Sequence, residues 1–122
     1  MVKGGIITDK KLLEIFVRWE DKLADDEWYF SNSFETITRD MSSDVAFNYI
    51  PNVVDVLIKL EDDYLIWETL YFLIELYIIA DTTQIHPMLE EKWSVLKSHI
   101  KYYSDSNSTP LQELIRHLRI TE

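Results

Sequence analysis

The sequence predicts an all-α fold, in which residues 1–122 form a single compact domain of five to six antiparallel helices. We expect these helices to form a bundle or a small stack of helical hairpins. Hydrophobic residues make up 47% of the chain, which is sufficient for a buried core. They recur at three- and four-residue spacing, as amphipathic helices require. With only 2 Gly and 3 Pro, the chain lacks the turn residues of a β-sandwich or barrel.

The first predicted helix opens at residue 8 or 9 and runs to about residue 24, with Leu12 and Phe16 on its buried face. Its end is crowded with acidic residues, and anions are unfavourable at a helix C-terminus. Asp25 or Asp26 is therefore a candidate cap for a new helix.

The middle of the chain has weaker signals. Residues 31–41 are consistent with a short helix or an irregular turn. A serine or aspartate at positions 42–44 can cap the next segment. Pro51 then predicts a break or kink before a helix of about residues 52–60, because proline cannot donate to the helical hydrogen-bond ladder.

Residues 64–80 form the most apolar stretch, in which only Glu68, Thr69 and Glu75 are clearly polar. This length falls short of a comfortable membrane span, and two carboxylates lie near its middle. We expect a helix in the interior of the domain. Glu61, Glu68 and Glu75 are spaced by seven, so they mark a stripe that faces solvent or a partner.

Two more helices are predicted near the C-terminus. One begins at Pro87, which suits a first helical turn. The other begins with Thr109 as the cap, Pro110 at the first helical position and Gln112 three residues after the cap.

The net charge of −10 restricts the class of partner. The sequence has no cluster of Lys and Arg, so we expect no binding to nucleic acid or to an anionic membrane surface. A basic protein is the favoured partner, because opposite fields speed encounter. The N-terminus reaches charged residues before a long apolar stretch, so we expect no secretory signal and a cytoplasmic location. We expect a monomer or weak dimer when the chain is alone.

The sequence offers no recognisable chemistry. It has no cysteine, and its three histidines lack the spacing of metal ligands. His86 is best explained as a residue that flanks a helix start. Glycine occurs only at Gly4 and Gly5, so glycine-rich phosphate loops are excluded. We therefore expect no catalytic residue, no cofactor and no metal, and hence no enzyme.

Two acidic–aromatic patches are the candidate partner-binding sites, because interfaces gain most from aromatic anchors with charges that guide the partner. The alternative is that the aromatic rings turn inward and leave the acids as a solubilising rim. The N-terminal patch consists of Glu20, Asp21, Asp25, Asp26, Glu27, Trp28 and Tyr29. The central patch consists of Glu61, Asp62, Asp63, Tyr64 and Trp67.

The segment Glu-Thr-Leu-Tyr-Phe-Leu-Ile-Glu-Leu at 68–76 is followed by Ala-Asp-Thr-Thr at 80–83 and by Pro87. With the size, the acidity and the acidic–aromatic patches, it resembles the small immunity proteins of bacterial toxin systems. These include the immunity proteins of contact-dependent growth inhibition and, more distantly, those of nuclease colicins. The resemblance is one of overall character rather than of a motif, so it assigns no residue a role.

The resemblance implies stoichiometric inhibition, in which an acidic surface occludes a basic toxin domain, often a nuclease. The alternative is a non-catalytic adaptor or regulatory subunit of a cytoplasmic complex. An enzyme is the third choice and would need a pocket around Glu68 and Glu75, with that stripe pointing inward.

Overall fold

The computed structural model describes the backbone of residues 4–105 and 108–120, and the side chains of these ranges from residue 10 onward. The described residues form seven helices and no strand, which confirms the all-α prediction. The helices are α1 (Gly4–Phe16), α2 (Trp19–Asp25), α3 (Tyr29–Thr38), α4 (Ser43–Leu57), α5 (Asp63–Ala80), α6 (Pro87–Tyr103) and α7 (Thr109–Leu118).

The core is centred on α4 and α5, which pack extensively against each other. Helix α5 also contacts α3 and α7, and α4 also contacts α1 and α6. Leu70, Leu73 and Leu76 of α5 are fully buried, as expected for an interior helix. Full burial of one such leucine contributes about 1.5–3 kcal/mol relative to an exposed one.

The prediction of one N-terminal helix to residue 24 is wrong, because the helix breaks at Arg18. Arg18 adopts the left-handed conformation with φ of 52°, which a right-handed helix cannot incorporate. A new helix, α2, starts at Trp19. This break contributes to the count of seven helices in the described ranges, against the expected five to six.

The next helix, α3, starts at Tyr29 and has Trp28 at its N-cap without a side-chain cap. Neither Asp25 nor Asp26 is the cap of this helix. Instead, Asp26 is the C-cap of α2, and its Oδ1 accepts a hydrogen bond from the Trp28 N–H at 3.0 Å. Asp26 therefore stabilises the turn between two helices.

Pro51 does not break the helix, since α4 is continuous from Ser43 to Leu57. Proline removes the hydrogen bond to the carbonyl of Phe47. Burial of Ile50 and Val53, on either side of it, favours the helix nonetheless. The predicted cap is confirmed, because Ser42 accepts a hydrogen bond from the Val45 N–H at 3.2 Å.

The helix α6 begins as predicted, with His86 at the N-cap. The His86 Nδ1 accepts a hydrogen bond from the Met88 N–H at 3.0 Å. The prediction for α7 is off by one residue: Ser108 is at the N-cap, and Thr109 is the first helical residue. Pro110 still lies within the first turn, where its missing N–H has no cost.

Candidate functional site

The outward face of α5 carries alternating aromatic and acidic side chains. Tyr64, Glu68, Tyr71 and Glu75 recur at three- and four-residue spacing and so share one side of the helix. Trp67 lies beside them and is 37% exposed. We call these five residues the α5 stripe. Glu75 and Trp67 are exposed, and Tyr64, Glu68 and Tyr71 are half-buried, so this face of α5 is accessible from solvent.

The expected third glutamate of this stripe is absent from the helix, because α5 begins at Asp63 and Glu61 lies before it. Glu61 instead contacts the end of α6, where the Tyr103 hydroxyl donates to its Oε2 at 3.4 Å. Burial raises the pKa of Tyr103, and the charge of Glu61 raises it further.

Phenol hydroxyls hold two of the carboxylates near the stripe. The Tyr64 hydroxyl donates to Glu68 Oε2 at 2.7 Å. Burial raises the pKa of Tyr64 to about 12, with the hydrogen bond and the charge of Glu68 adding to it. The pKa of Tyr71 is also raised, first by burial and then by a hydrogen bond to Glu113 of α7. Neutral hydroxyl donors therefore orient these two carboxylates.

A row of four aromatic rings connects α2 to α5. Trp19 stacks on Tyr64, with ring centroids 5.3 Å apart and planes 12° apart. Tyr64 stacks on Trp67 at 6.2 Å, and Trp67 meets the edge of Tyr71 at 4.9 Å. We call Trp19, Tyr64, Trp67 and Tyr71 the aromatic row. It places the helix of Glu20 and Asp21 next to the start of α5.

A groove of about 370 Å³ lies between α3 and α5 and continues from the aromatic row. Three carboxylates line it, from Glu35 of α3 and from Glu68 and Glu75 of α5. Its other lining residues are Ser31, Phe34, Thr38, Tyr71 and Phe72. In the described part of the chain, no lysine or arginine lines this acidic groove, and none of its three carboxylates is in an ion pair.

The structure divides the N-terminal patch. Trp28 is 63% exposed, whereas Tyr29 turns inward and donates from its hydroxyl to the Ile15 carbonyl at 2.7 Å. Asp21 forms an ion pair with Arg18 at 3.1 Å, and the two side chains are largely exposed. Glu20, Asp25, Asp26 and Glu27 are also exposed. Tyr29 therefore turns inward as the alternative expects, whereas Trp28 stays accessible from solvent.

The central patch lies at the start of α5, and its acids have structural partners. Asp62 is the N-cap, and its Oδ1 accepts from the backbone N–H groups of Tyr64 and Leu65 at 2.9 and 3.1 Å. The Ser104 hydroxyl donates to Asp63. Glu61, Asp62 and Asp63 nonetheless stay exposed, so their charge remains available for long-range attraction.

Sequence reasoning missed several residues of this surface. Tyr71 could have been found, because its spacing from Tyr64 and Glu68 is helical. Trp19, Glu35 and Glu113 carry no such signal. They come from three other helices, and only the packing of the fold brings them to α5.

None of the three histidines, all of which the structure describes, lines the acidic groove. Within the described ranges, no three His, Cys, Asp or Glu residues are placed to hold a metal ion. His86 caps α6, and the His99 Nε2 is hydrogen-bonded to the Leu60 carbonyl. His117 lines an open depression with Asp81 and two threonines at the end of α5. None of the helices among the described residues has the length and apolarity needed to cross a membrane.

Comparisons with models of protein families, with curated proteins and with solved structures found no match to this chain. The candidate site therefore stands on its own geometry: an aromatic row, the acidic groove beside it, and two exposed acidic patches.

Proposed function

We propose that this protein is an immunity protein, or antitoxin, that binds a cognate basic toxin domain and neutralises it by stoichiometric occlusion. The observation that carries the proposal is the continuity of the aromatic row with the acidic groove. Aromatic rings provide large contact area at small entropic cost, and carboxylates around them select a basic partner. The aromatic row supports a single binding surface that includes the central patch and borders α2.

Neutralisation follows from charge if the toxin is a nuclease. A nuclease channel is positive because it must hold phosphate. The carboxylates of this protein compete for the same cationic groups, and the net charge of −10 attracts the toxin from a distance. The protein needs no chemistry of its own in this mechanism.

Purification of the tagged chain with its partner from the native host tests the proposal. The partner is then expressed in cells that lack this protein, with and without its coexpression. We expect the partner alone to kill, and the two together to restore growth. A captured partner that is harmless in such cells would contradict the proposal.

The N-terminal patch has a separate test, since its exposed acids are proposed to steer the encounter. Reversal of charge at Glu20 and Glu27 should slow association with the partner about tenfold at low salt and much less at high salt. Reversal at Glu90 and Glu91, exposed residues of α6, is the matched control. Equal association rates for the two variants would exclude a specific role for the N-terminal patch.

An adaptor or regulatory subunit is the alternative, and exposed apolar side chains favour it. Val95 of α6 is 56% exposed, Tyr102 is 80% exposed and Ile78 of α5 is 56% exposed. An adaptor that buries such side chains in a complex should self-associate when purified alone. Sedimentation equilibrium distinguishes the two: a monomer or weak dimer fits the immunity protein, and a strong oligomer fits the adaptor.

A further inference from the structure

We propose that the exposed side of α6 pairs with the same side of a second copy of this chain, antiparallel about a two-fold axis, and forms a weak homodimer. The proposal goes beyond the proposed function and does not depend on it, because the aromatic row and the acidic groove lie on α2, α3 and α5. It rests on the spacing and the charge order of the exposed residues of α6.

Helix α6 packs mainly on α4, and the residues on its opposite side are exposed. Glu91, Val95, Ser98 and Tyr102 recur there at spacings of four, three and four, so they share one side of the helix. Val95 is 56% exposed, and Tyr102, at 80%, is the most exposed of the large hydrophobic side chains described. We call these four residues the α6 face.

The spacing of the α6 face is the same in both directions along the helix. Two antiparallel copies therefore place Glu91 opposite Tyr102 and Val95 opposite Ser98, and a two-fold axis makes each contact twice. Val95 supplies apolar area at the centre, and the small Ser98 lets the helices approach closely. The Tyr102 hydroxyl donates to the carboxylate of Glu91 in the second copy, as the Tyr64 hydroxyl donates to Glu68 within this chain.

The charges beside the α6 face are complementary under the same symmetry. Glu90 lies near the start of α6 and Lys101 near its end, on one edge of the face, and both are exposed. An antiparallel pair brings Glu90 of each copy near Lys101 of the other, which gives two ion pairs between the copies. A parallel pair would instead bring like charges together.

The distribution of charge over the chain also favours α6 as the place where two copies meet. The net charge of −10 makes two copies repel each other. Helix α6 has three lysines and two glutamates, and it is the only one of the seven described helices with a net positive charge. A second copy therefore meets the least repulsion at this helix.

The size of the α6 face makes the dimer weak. The stretch from Glu91 to Tyr102 is about 16 Å long, and one helix face of this length buries much less than the roughly 800 Å² per partner of a stable interface. We expect a dissociation constant of about 0.1–1 mM. The dimer is thus distinct from the strong oligomer expected of an adaptor, and assays at low micromolar concentration measure the monomer.

Sedimentation equilibrium of the full chain, at concentrations up to about 1 mM, tests the proposal with two charge reversals. Glu90→Lys and Lys101→Glu should each weaken dimerisation about tenfold, because both ion pairs become like-charge pairs. An equimolar mixture of the two variants should regain dimerisation to within about threefold of wild type, because the mixed dimer again has opposite charges at both positions.

The control variant is Glu35→Lys, which changes the net charge by the same amount as Glu90→Lys at an exposed residue of α3. It should not weaken dimerisation, since it lowers the net repulsion and leaves the α6 face intact. Three results would overturn the proposal. These are a wild-type chain that stays monomeric at about 1 mM, which would leave the α6 face to a different protein, equal dimerisation of Glu90→Lys and Glu35→Lys, and no recovery in the mixture.

Discussion

The hydrogen bond between Tyr64 and Glu68 determines how the central tyrosine of the aromatic row titrates. With the carboxylate 2.7 Å from its hydroxyl, Tyr64 has its pKa raised to about 12 from 10.0. Burial is the largest cause, followed by the hydrogen bond and the charge of Glu68. Glu68→Gln removes the charge, while burial remains and the glutamine carbonyl oxygen can still accept from the hydroxyl. We therefore expect the pKa of Tyr64 to fall in this variant but to stay above 10.0.

The raised pKa also has a consequence for stability. The contribution of Tyr64 to the free energy of unfolding is fully present below pH 10.0 and is lost as the pH rises through about 12. This is because Tyr64 ionises at a lower pH in the unfolded chain than in the folded protein. Two pKa units correspond to ~2.7 kcal/mol for a fully shielded group. Tyr64 is only half-buried, so screening by solvent reduces the free energy of unfolding at stake to about 1 kcal/mol.

NMR of isotope-labelled tyrosine follows the ionisation of Tyr64 directly, with Tyr64→Phe used to assign its signal. Glu75→Gln is the matched control, since Glu75 lies on the same face of α5 but does not contribute to the raised pKa of Tyr64. Titration of wild-type Tyr64 near its ordinary pKa would refute the described contact. An identical titration in the Glu68→Gln variant would refute the role given to the carboxylate.

Three further predictions concern the stability of the helices that support the site, each measured by urea unfolding. Thr69 is fully buried, and its Oγ1 has no hydrogen-bond partner among the described residues. Thr69→Val should therefore raise the free energy of unfolding by about 1 kcal/mol, and a decrease would contradict this prediction. Asp81 ends α5 in the left-handed conformation, with φ of 57°, and places an anion at the helix C-terminus. Asp81→Gly should therefore raise the free energy of unfolding by about 0.5–1 kcal/mol, whereas Asp81→Ala should not, because alanine does not favour this conformation. Burial lowers the pKa of His86, whose neutral Nδ1 accepts a hydrogen bond from the Met88 N–H. The stabilisation by neutral His86 is therefore present above pH 6.5 and is lost as the pH falls through the lowered pKa. His86→Ser, a cap that does not titrate, should therefore lose less stability than wild type between pH 7.5 and pH 5, and parallel losses would contradict the assignment.

Much of the fold is encoded in local patterns. The seven-residue spacing of Glu61, Glu68 and Glu75 predicted one polar stripe, of which α5 carries Glu68 and Glu75 while Glu61 precedes the helix. Ser42 was one of three predicted caps for α4, and the helix start beside His86 was also predicted, because a helix start depends on a few neighbouring residues.

The parts that could not be predicted depend on packing. Arginine has no preference for the left-handed conformation, so nothing local marks Arg18 as a helix break. Pro51 lies inside α4 because burial of its neighbours outweighs the lost hydrogen bond. The stacking of Trp19 on Tyr64 joins residues distant in sequence, and only the folded chain shows that α2 meets the start of α5.

The central claim is that the exposed face built on the aromatic row is where a basic partner binds. Hydroxyl-radical footprinting of the complex measures this most directly, because it reports the accessibility of individual rings. We predict that the oxidation rate of Trp67, now 37% exposed, falls at least several-fold on complex formation, while that of Val95 on α6 does not change. A stable complex in which Trp67 keeps its full reactivity would contradict the claim.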